Sequence, residues 1–343
     1  DMIRIGLAGI GFMGMIHFLA ARKLKGAKIS ALFTRDPRKR TGDWRGIQGN
    51  FGPPGEVMNL TGIHAYDDYQ ALLDDPEIDL VDICTPTDQH ADMAIKALKA
   101  GKHVLVEKAI ALTVREADQM IHAASKAGKA LMVAHVLPFF PEFAAAAKII
   151  AEGQHGRLVG AHFSRVISKP DWSENIGDSA KTGGPAIDLH IHDAHFIGLI
   201  AGVPGRVFAN GITDRNETVR YLTTQYLYGD NGPAISCSSG DPSMPSRAFM
   251  HGFEIYLEKA TLAHHSGGVP FTVYGAGKAP KIPKLTGAGD PVSAFTSELQ
   301  AAVEGVRTGV VPEALSAQLA RDALAMCHLE CQSVLTGKAQ IVR

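Results

Sequence analysis

The first fifteen residues constrain this chain more than any other stretch. Ile3, Ile5, Leu7 and Ala8 read as a short buried strand. Gly9, Gly11 and Gly14 follow in the spacing G-x-G-x-x-G, and a helix-like run extends from Phe12 to Lys23. Strand, turn and helix are the context that gives this spacing a physical meaning. The first glycine permits a tight turn, the second lets the backbone approach a diphosphate, and the third lets the helix pack closely on the strand. The turn Gly9-Ile10-Gly11-Phe12-Met13-Gly14 is therefore expected to face phosphate charge at a helix start. An ordinary glycine-bearing turn is the plain alternative.

The chain has 343 residues, which suits two domains better than one core. Its 45% hydrophobic and 20% charged content is that of an ordinary globular protein. A formal net charge of -1 implies no basic face, so neither nucleic acid nor an anionic membrane is an expected partner. No apolar run approaches the length of a membrane span. The chain opens directly on its first strand, so no signal peptide is expected. Four scattered cysteines, Cys84, Cys237, Cys327 and Cys331, agree with a reducing compartment, and the expected location is the cytoplasm.

Lys28–Phe33 reads as the second strand. In a dinucleotide fold an acid about twenty residues past the glycines binds the ribose 2′-hydroxyl. Here the count reaches Thr34, followed by Arg35. A hydroxyl and a guanidinium suit a 2′-phosphate, which a carboxylate would repel. The cofactor is therefore expected to be NADP or NAD, with NADP favoured. Asp36 swinging in, or a merely solvated charged turn, would remove that preference. Residues 41–62 are rich in Gly, Pro and Asn and read as a surface insertion. Strands at 63–66, 78–85, 103–106 and 130–135 then alternate with helices at 67–73, 90–100 and 113–127. That alternation marks a doubly wound parallel sheet, whose ligands sit beyond the carboxyl ends of the strands. Thr85, Pro86, Glu107, Lys108 and His135 fall at those ends, and His90 opens the helix behind the first of them.

The pattern changes after residue 137. A helix at 141–152, a strand at 157–167 and a polar loop at 168–184 lead into a helix at 186–201. Strands follow at 205–212, 219–228, 233–239, 250–258 and 270–275, and helices at 291–307 and 312–336 close the chain. The expected division is a dinucleotide-binding domain at 1–137 and an α+β substrate-binding and oligomerisation domain at 138–343. The second has a large open, mostly antiparallel sheet. The outer face of such a sheet needs a cover, and a second subunit supplies one, as in a homodimer or homotetramer.

Two groups carry candidate chemistry. Lys108 beside Glu107 can donate to a hydroxyl or carbonyl oxygen, although a surface ion pair is the ordinary reading of a Glu-Lys pair. Asp188 and His192 lie four apart on a predicted helix, so a carboxylate can fix an imidazole tautomer and leave its other nitrogen as acid or base. His195 follows one turn later. A metal site on Asp188, His192 and His195 is the rival reading, but no Cys- or carboxylate-rich segment completes it, and no metal is expected. A polar helix face satisfied by its neighbours is the bland reading. Arg165, Lys169, Asp171 and Trp172, on the segment leading to this helix, are candidate substrate contacts. A tryptophan face with charged hydrogen-bonders suits a sugar or polyol, and Trp172 anchoring its own loop is the alternative.

Taken together, Gly9-x-Gly11-x-x-Gly14, Cys84-Thr85-Pro86-Thr87 with His90, Gly101 to Lys108, and Gly183-Gly184 followed by Asp188 and His192 resemble the Gfo/Idh/MocA oxidoreductases. The resemblance covers nearly the whole chain. It implies an α/β protein with an N-terminal Rossmann sheet and an NAD(P)-dependent activity on a secondary hydroxyl of a sugar or cyclitol. It also implies catalytic roles for Lys108, Asp188 and His192: His192 as acid/base, Asp188 positioning it and the substrate, Lys108 binding cofactor and substrate oxygen. An NAD-dependent glycoside-processing enzyme and a non-catalytic dinucleotide sensor are the alternatives within the resemblance. The chain departs from the pattern at Ala109, where relatives carry proline after Glu-Lys. Alanine predicts a trans peptide there. Pro138 stands where relatives often carry arginine.

Overall fold

The computed structural model describes residues 2–169, 178–277 and 279–342. The chain divides into two compact units, Asp1–Phe139 with Gly289–Arg321, and Phe140–Ala288 with Asp322–Arg343.

The first unit is built on six parallel strands: β1 (Ile3–Ala8), β2 (Ala27–Phe33), β3 (His64–Tyr66), β4 (Leu80–Ile83), β5 (His103–Glu107) and β6 (Leu131–Ala134). Their order is β3-β2-β1-β4-β5-β6. The order reverses direction at β1, which places the turn after β1 at the crevice where such sheets take ligands. The connecting helices are α1 (Phe12–Ala21), α2 (Pro37–Arg40), α3 (Tyr69–Asp74), α4 (His90–Lys99) and α5 (Val114–Ala127). β4 is buried at every position, as a strand covered on both faces must be. α5 starts at a capping box between Thr113 and Glu116 and stops at Gly128 in the left-handed region.

Residues 41–62 are more than a surface insertion. Trp44 is fully buried, and Trp44, Ile47 and Met58 join Met15 and Phe18 of α1 in one core cluster. The Trp44 ring meets Phe18 edge to face at 4.8 Å, and its indole N–H donates to the Lys39 carbonyl at 2.8 Å. Gly and Pro punctuation correctly marks an irregular backbone but says nothing of how deeply one tryptophan anchors it.

A sequence boundary at 137/138 leaves 289–321 in the second domain. In the structure this stretch belongs to the first unit, because α10 (Ser293–Thr308, the tenth helix in chain order) packs against α1. Lys23 pairs with Asp290 at 2.8 Å, and Phe51 stacks on Phe295 with centroids 5.5 Å apart.

The second unit is an eight-stranded sheet: β7 (Leu158–Ser168), β8 (Arg206–Thr213), β9 (Val219–Leu227), β10 (Ala234–Ser243), β11 (Met250–Leu257), β12 (Ala260–His265), β13 (Val269–Gly275) and β14 (Gln340–Ile341). The order is β13-β12-β11-β7-β10-β9-β8-β14, antiparallel throughout except for β7 against β10. β12 and β14 escape the sequence reading. β12 returns from β11 through Glu258-Lys259, a two-residue turn without Gly or Asn, which Arg157 braces by pairing with Glu258 at 2.8 Å. The helices here are α6 (Pro141–Glu152), α7 (Ser179–Thr182), α8 (Pro185–Asp188) and α9 (Ile191–Ala201). The last helix of the chain, α11 (Ala317–Thr336), begins among first-unit residues and ends among those of the second.

Candidate functional site

The three glycines of the turn differ in what surrounds them. Gly9 sits at φ +98°, and a Cβ there would lie 2.9 Å from the Thr85 side chain. A Cβ on Gly14 would lie 2.0 Å from the Gly9 carbonyl oxygen, so only glycine lets α1 start this close to the turn. A Cβ on Gly11 meets nothing within 4 Å. The turn thus opens on space beside Gly11. No side chain caps the start of α1, and its first turn carries no acid. Uncapped amides beside open space fit the diphosphate of a dinucleotide.

The end of β2 also fits a nucleotide. Thr34 is nearly buried and Arg35 is exposed. Asp36 is committed elsewhere: it caps α2, accepting the Arg38 backbone N–H at 2.9 Å, and that bond holds its carboxyl below the usual range. Arg40 donates to the Thr34 and Arg35 carbonyls at 3.0 and 3.1 Å. Lys39 escapes the sequence reading: its Nζ donates to the Ile10 carbonyl at 2.7 Å and brings a cation to the glycine turn. A lysine five residues past Thr34 carries no motif of its own, so only the fold reveals it.

At the ends of β4 and β5, His90 is buried and both its nitrogens are used. Nδ1 lies 2.8 Å from the Ala109 carbonyl oxygen and Nε2 2.8 Å from that of Thr85. The residue read as a cofactor contact ties two strand ends together instead. Burial pushes its pKa down. The Lys108–Ala109 peptide is cis, which corrects the trans expectation. The intrinsic preference of a non-proline bond decides only where surroundings are neutral. Here Ala109, Ile110 and Ala111 are buried and the Ala109 carbonyl is held by His90. Glu107 is buried, its Oε2 taking the Lys108 backbone N–H at 3.1 Å, while Lys108 itself is half-buried. Thr85 and Pro86 are half-buried and His135 is buried.

In the second unit the predicted single helix at 186–201 is two, with a break at Leu189-His190 between α8 and α9. The His192 backbone N–H reaches back to Leu189 at 3.4 Å rather than to Asp188. The break has a side-chain cause. His190 is fully buried between Ser239 and Glu330, with Tyr226 Oη 3.3 Å from its Nε2. Burial opposes its charge, but Glu330 and Cys237 together more than reverse this and raise its pKa well above the ordinary histidine range. On the other flank Arg165 donates twice to Asp193, from Nε at 2.7 Å and Nη2 at 3.1 Å, with both residues buried. Arg165 therefore anchors the helix to the sheet, where the sequence suggested a substrate contact. His195 is likewise fully buried, and burial pushes it down to about 3. Between 186 and 195 only Asp188, Leu189 and His192 are not buried. The anchoring of 190 and 193 thus leaves the two predicted catalytic side chains on the open side. Lys169 is exposed at the end of β7. Asp171 and Trp172 lie outside the described residues. Among the described residues, two triads of metal-type donors come together, His17-Asp82-Cys84 and His190-Cys327-Glu330. In each the imidazole already bonds a carboxylate. Neither triad includes Asp188, His192 or His195.

Residues 3–135 match the oxidoreductase family with an NAD-binding Rossmann fold, and residues 143–263 match the GFO/IDH/MocA C-terminal domain. The chain belongs to this family. It is 28% identical to levoglucosan dehydrogenase of Pseudarthrobacter phenanthrenivorans over 80% of this chain and 71% of that protein. It is 28% identical to myo-inositol 2-dehydrogenase of Thermotoga maritima over 61% of this chain and 58% of the relative. Among solved structures, levoglucosan dehydrogenase in complex with NADH and levoglucosan superposes with a TM-score of 0.85 at 20% identity, covering 100% of both chains. That likeness establishes the fold. No helix among the described residues is long and apolar enough to cross a membrane.

Gly11→Ala should leave the melting temperature near wild type but weaken dinucleotide binding, because its Cβ enters open space beside the turn. Gly14→Ala should lower stability by about 1–3 kcal/mol through overpacking. Thermal melts and cofactor fluorescence separate the two, and equal melts would refute the division of roles. A second expectation concerns acid. Burial pushes His195 and His251 down to about 3, so both are neutral in the fold. The unfolded chain takes up their protons below about pH 6.5. Their stabilisation is complete above that pH and is lost as pH falls towards 3, by about 1.4 kcal/mol per group per pH unit. Melting temperature should fall from pH 7 to pH 4.5, less steeply in His251→Phe; a wild-type melt that rises on acidification contradicts this.

Proposed function

We propose that the protein is an NAD(P)-dependent dehydrogenase acting on a secondary hydroxyl of a sugar or cyclitol. The observation that carries the reading is the glycine turn, open at Gly11 beside an uncapped helix, with Lys108 at the end of β5 in the same unit. When bound, the nicotinamide supplies the hydride acceptor or donor. The backbone amides at the start of α1 bind the diphosphate. His192 takes the hydroxyl proton on an imidazole nitrogen, and returns it in the reverse direction. Asp188 orients that imidazole and the substrate. The Lys108 ammonium hydrogen-bonds the reacting oxygen and favours the charge that develops there. None of these roles requires a metal. The substrate class is supported by the named relatives, which act on levoglucosan and inositol.

NADP is the favoured cofactor. Thr34 and Arg35 stand where an acid would bind the ribose, Asp36 is held as a cap, and Lys39 adds a cation. Relatives include scyllo-inositol 2-dehydrogenases of Bacillus subtilis named for NADP(+) and for NAD(+), so the choice lies in these residues. The predicted partner is a second copy of this chain. Phe208, Gln225, His162, Glu254 and Tyr256 share the outer face of the sheet by register and are exposed. This mixed surface suits a homodimer or homotetramer interface.

Fluorescence titration should show tighter NADPH than NADH binding, with the order reversed in Arg35→Asp; an unchanged NADH preference removes the NADP argument. On a sugar and cyclitol panel, His192→Ala should lose about 10²–10⁴-fold in kcat while cofactor affinity holds. Cofactor binding without turnover of any panel member would favour a sensor. Sedimentation should show an oligomer that Tyr256→Arg weakens; a wild-type monomer rejects the interface.

A further inference from the structure

A buried charge cluster lies inside the first unit, behind the end of β5. His17 comes from α1, Asp82 and Cys84 from β4 and the residue after it, Glu107 from β5, and Glu298 from α10. His17 and Glu298 are fully buried, and Asp82 and Glu107 nearly so. His17 Nδ1 lies 2.8 Å from Asp82 Oδ2, and its Nε2 lies 3.1 Å from Glu107 Oε1 and 4.0 Å from Glu298 Oε2. Cys84 Sγ is 3.4 Å from Nδ1. Three carboxyls thus surround one imidazole. Both Glu298 oxygens lack a hydrogen-bond partner, and burial, with repulsion from Glu107 and Asp82, pushes this carboxyl well up, so it is the neutral member. Burial opposes charge on His17, but Asp82 and Cys84 together outweigh it and hold its pKa well above the ordinary histidine range.

A carboxylate as buried as Glu107 needs a cation. His17 Nε2 stands 3.1 Å from Glu107 Oε1, a close charge contact without hydrogen-bond geometry. Glu107 Oε2 accepts the Lys108 backbone N–H at 3.1 Å. We propose that His17 is a positioning residue of the reaction centre: held by Asp82, it fixes the Glu107 carboxyl, and through that carboxyl's bond to the Lys108 backbone it sets where the Lys108 side chain stands. The inference rests on the reading of Lys108 as a catalytic residue, but its structural content does not need turnover.

The test compares wild type with His17→Gln and Asp82→Asn, and with Glu298→Gln as a copy of the protonated acid. The rate of Lys108 modification by an amine reagent, mapped by peptide mass, reads its environment without activity. It should change about threefold or more in His17→Gln and in Asp82→Asn, and stay at the wild-type rate in Glu298→Gln. In turnover, kcat should fall about ten- to hundredfold with KM nearly unchanged, because Lys108 is displaced while the binding surface remains. The pH profile of kcat should move as well. NADPH affinity, read by fluorescence, should stay within about threefold, which separates this from a collapse of α1. Should His17→Gln fail to fold, Asp82→Asn alone decides. Wild-type labelling rates in both variants overturn the role of His17. Wild type that binds dinucleotide but oxidises no sugar or cyclitol overturns the dehydrogenase reading instead, and the labelling result then still decides the role of His17.

Discussion

The first unit depends on one close approach. The Gly14 α-carbon is pressed so near the Gly9 carbonyl that no side chain fits, and this lets α1 rise directly out of the β1 turn. Because α1 starts there, its uncapped start lies beside the open space at Gly11. Because β1 lies at the switch point of the sheet, the ends of β2, β4 and β5 gather around the same turn. Lys39 and Thr85 reach the turn because of that arrangement: Lys39 bonds the Ile10 carbonyl and Thr85 lies against Gly9.

Buried charge then does what apolar packing cannot, which is to specify direction. A buried ion pair adds little net stability, since desolvation offsets its attraction, but breaking one leaves an uncompensated charge. The second unit uses two such pairs on one short segment. His190 is drawn to Glu330, and Asp193 to Arg165. Pinned at these two points, the segment 186–195 cannot rotate, and Asp188 and His192 are left on its open side. The helix break at Leu189-His190 falls at the residue whose side chain reaches Ser239 and Glu330. The first unit repeats the device with Asp82, His17 and Glu107 behind Lys108.

Hydrophobic anchoring explains the irregular stretch at 41–62. Its backbone forms no long element, yet Trp44 seats it on α1, and Phe51 lies between Phe12 and Phe295. The Lys39 carbonyl that receives the Trp44 indole belongs to the same residue whose ammonium reaches Ile10. Packing of the insertion and placement of a cation at the glycine turn are therefore coupled through one lysine.

The local alphabet of this protein was written in its sequence. Glycine spacing and the alternation of apolar strands with capped helices follow from period and residue type, because they depend on neighbours within a turn or two. The family resemblance rested on the same residues. Tertiary structure alone decided which polar groups are spent on architecture. Arg165, His90 and His195 look like site residues in sequence and are buried, with Arg165 and His90 bonded within their own units, because their partners come from distant strands and helices. It also decided the cis Lys108–Ala109 peptide, the return of α10 to the first unit, and the depth of Trp44. All of these turn on contacts far apart in the chain, where burial sets the energy and local pattern carries no record of it.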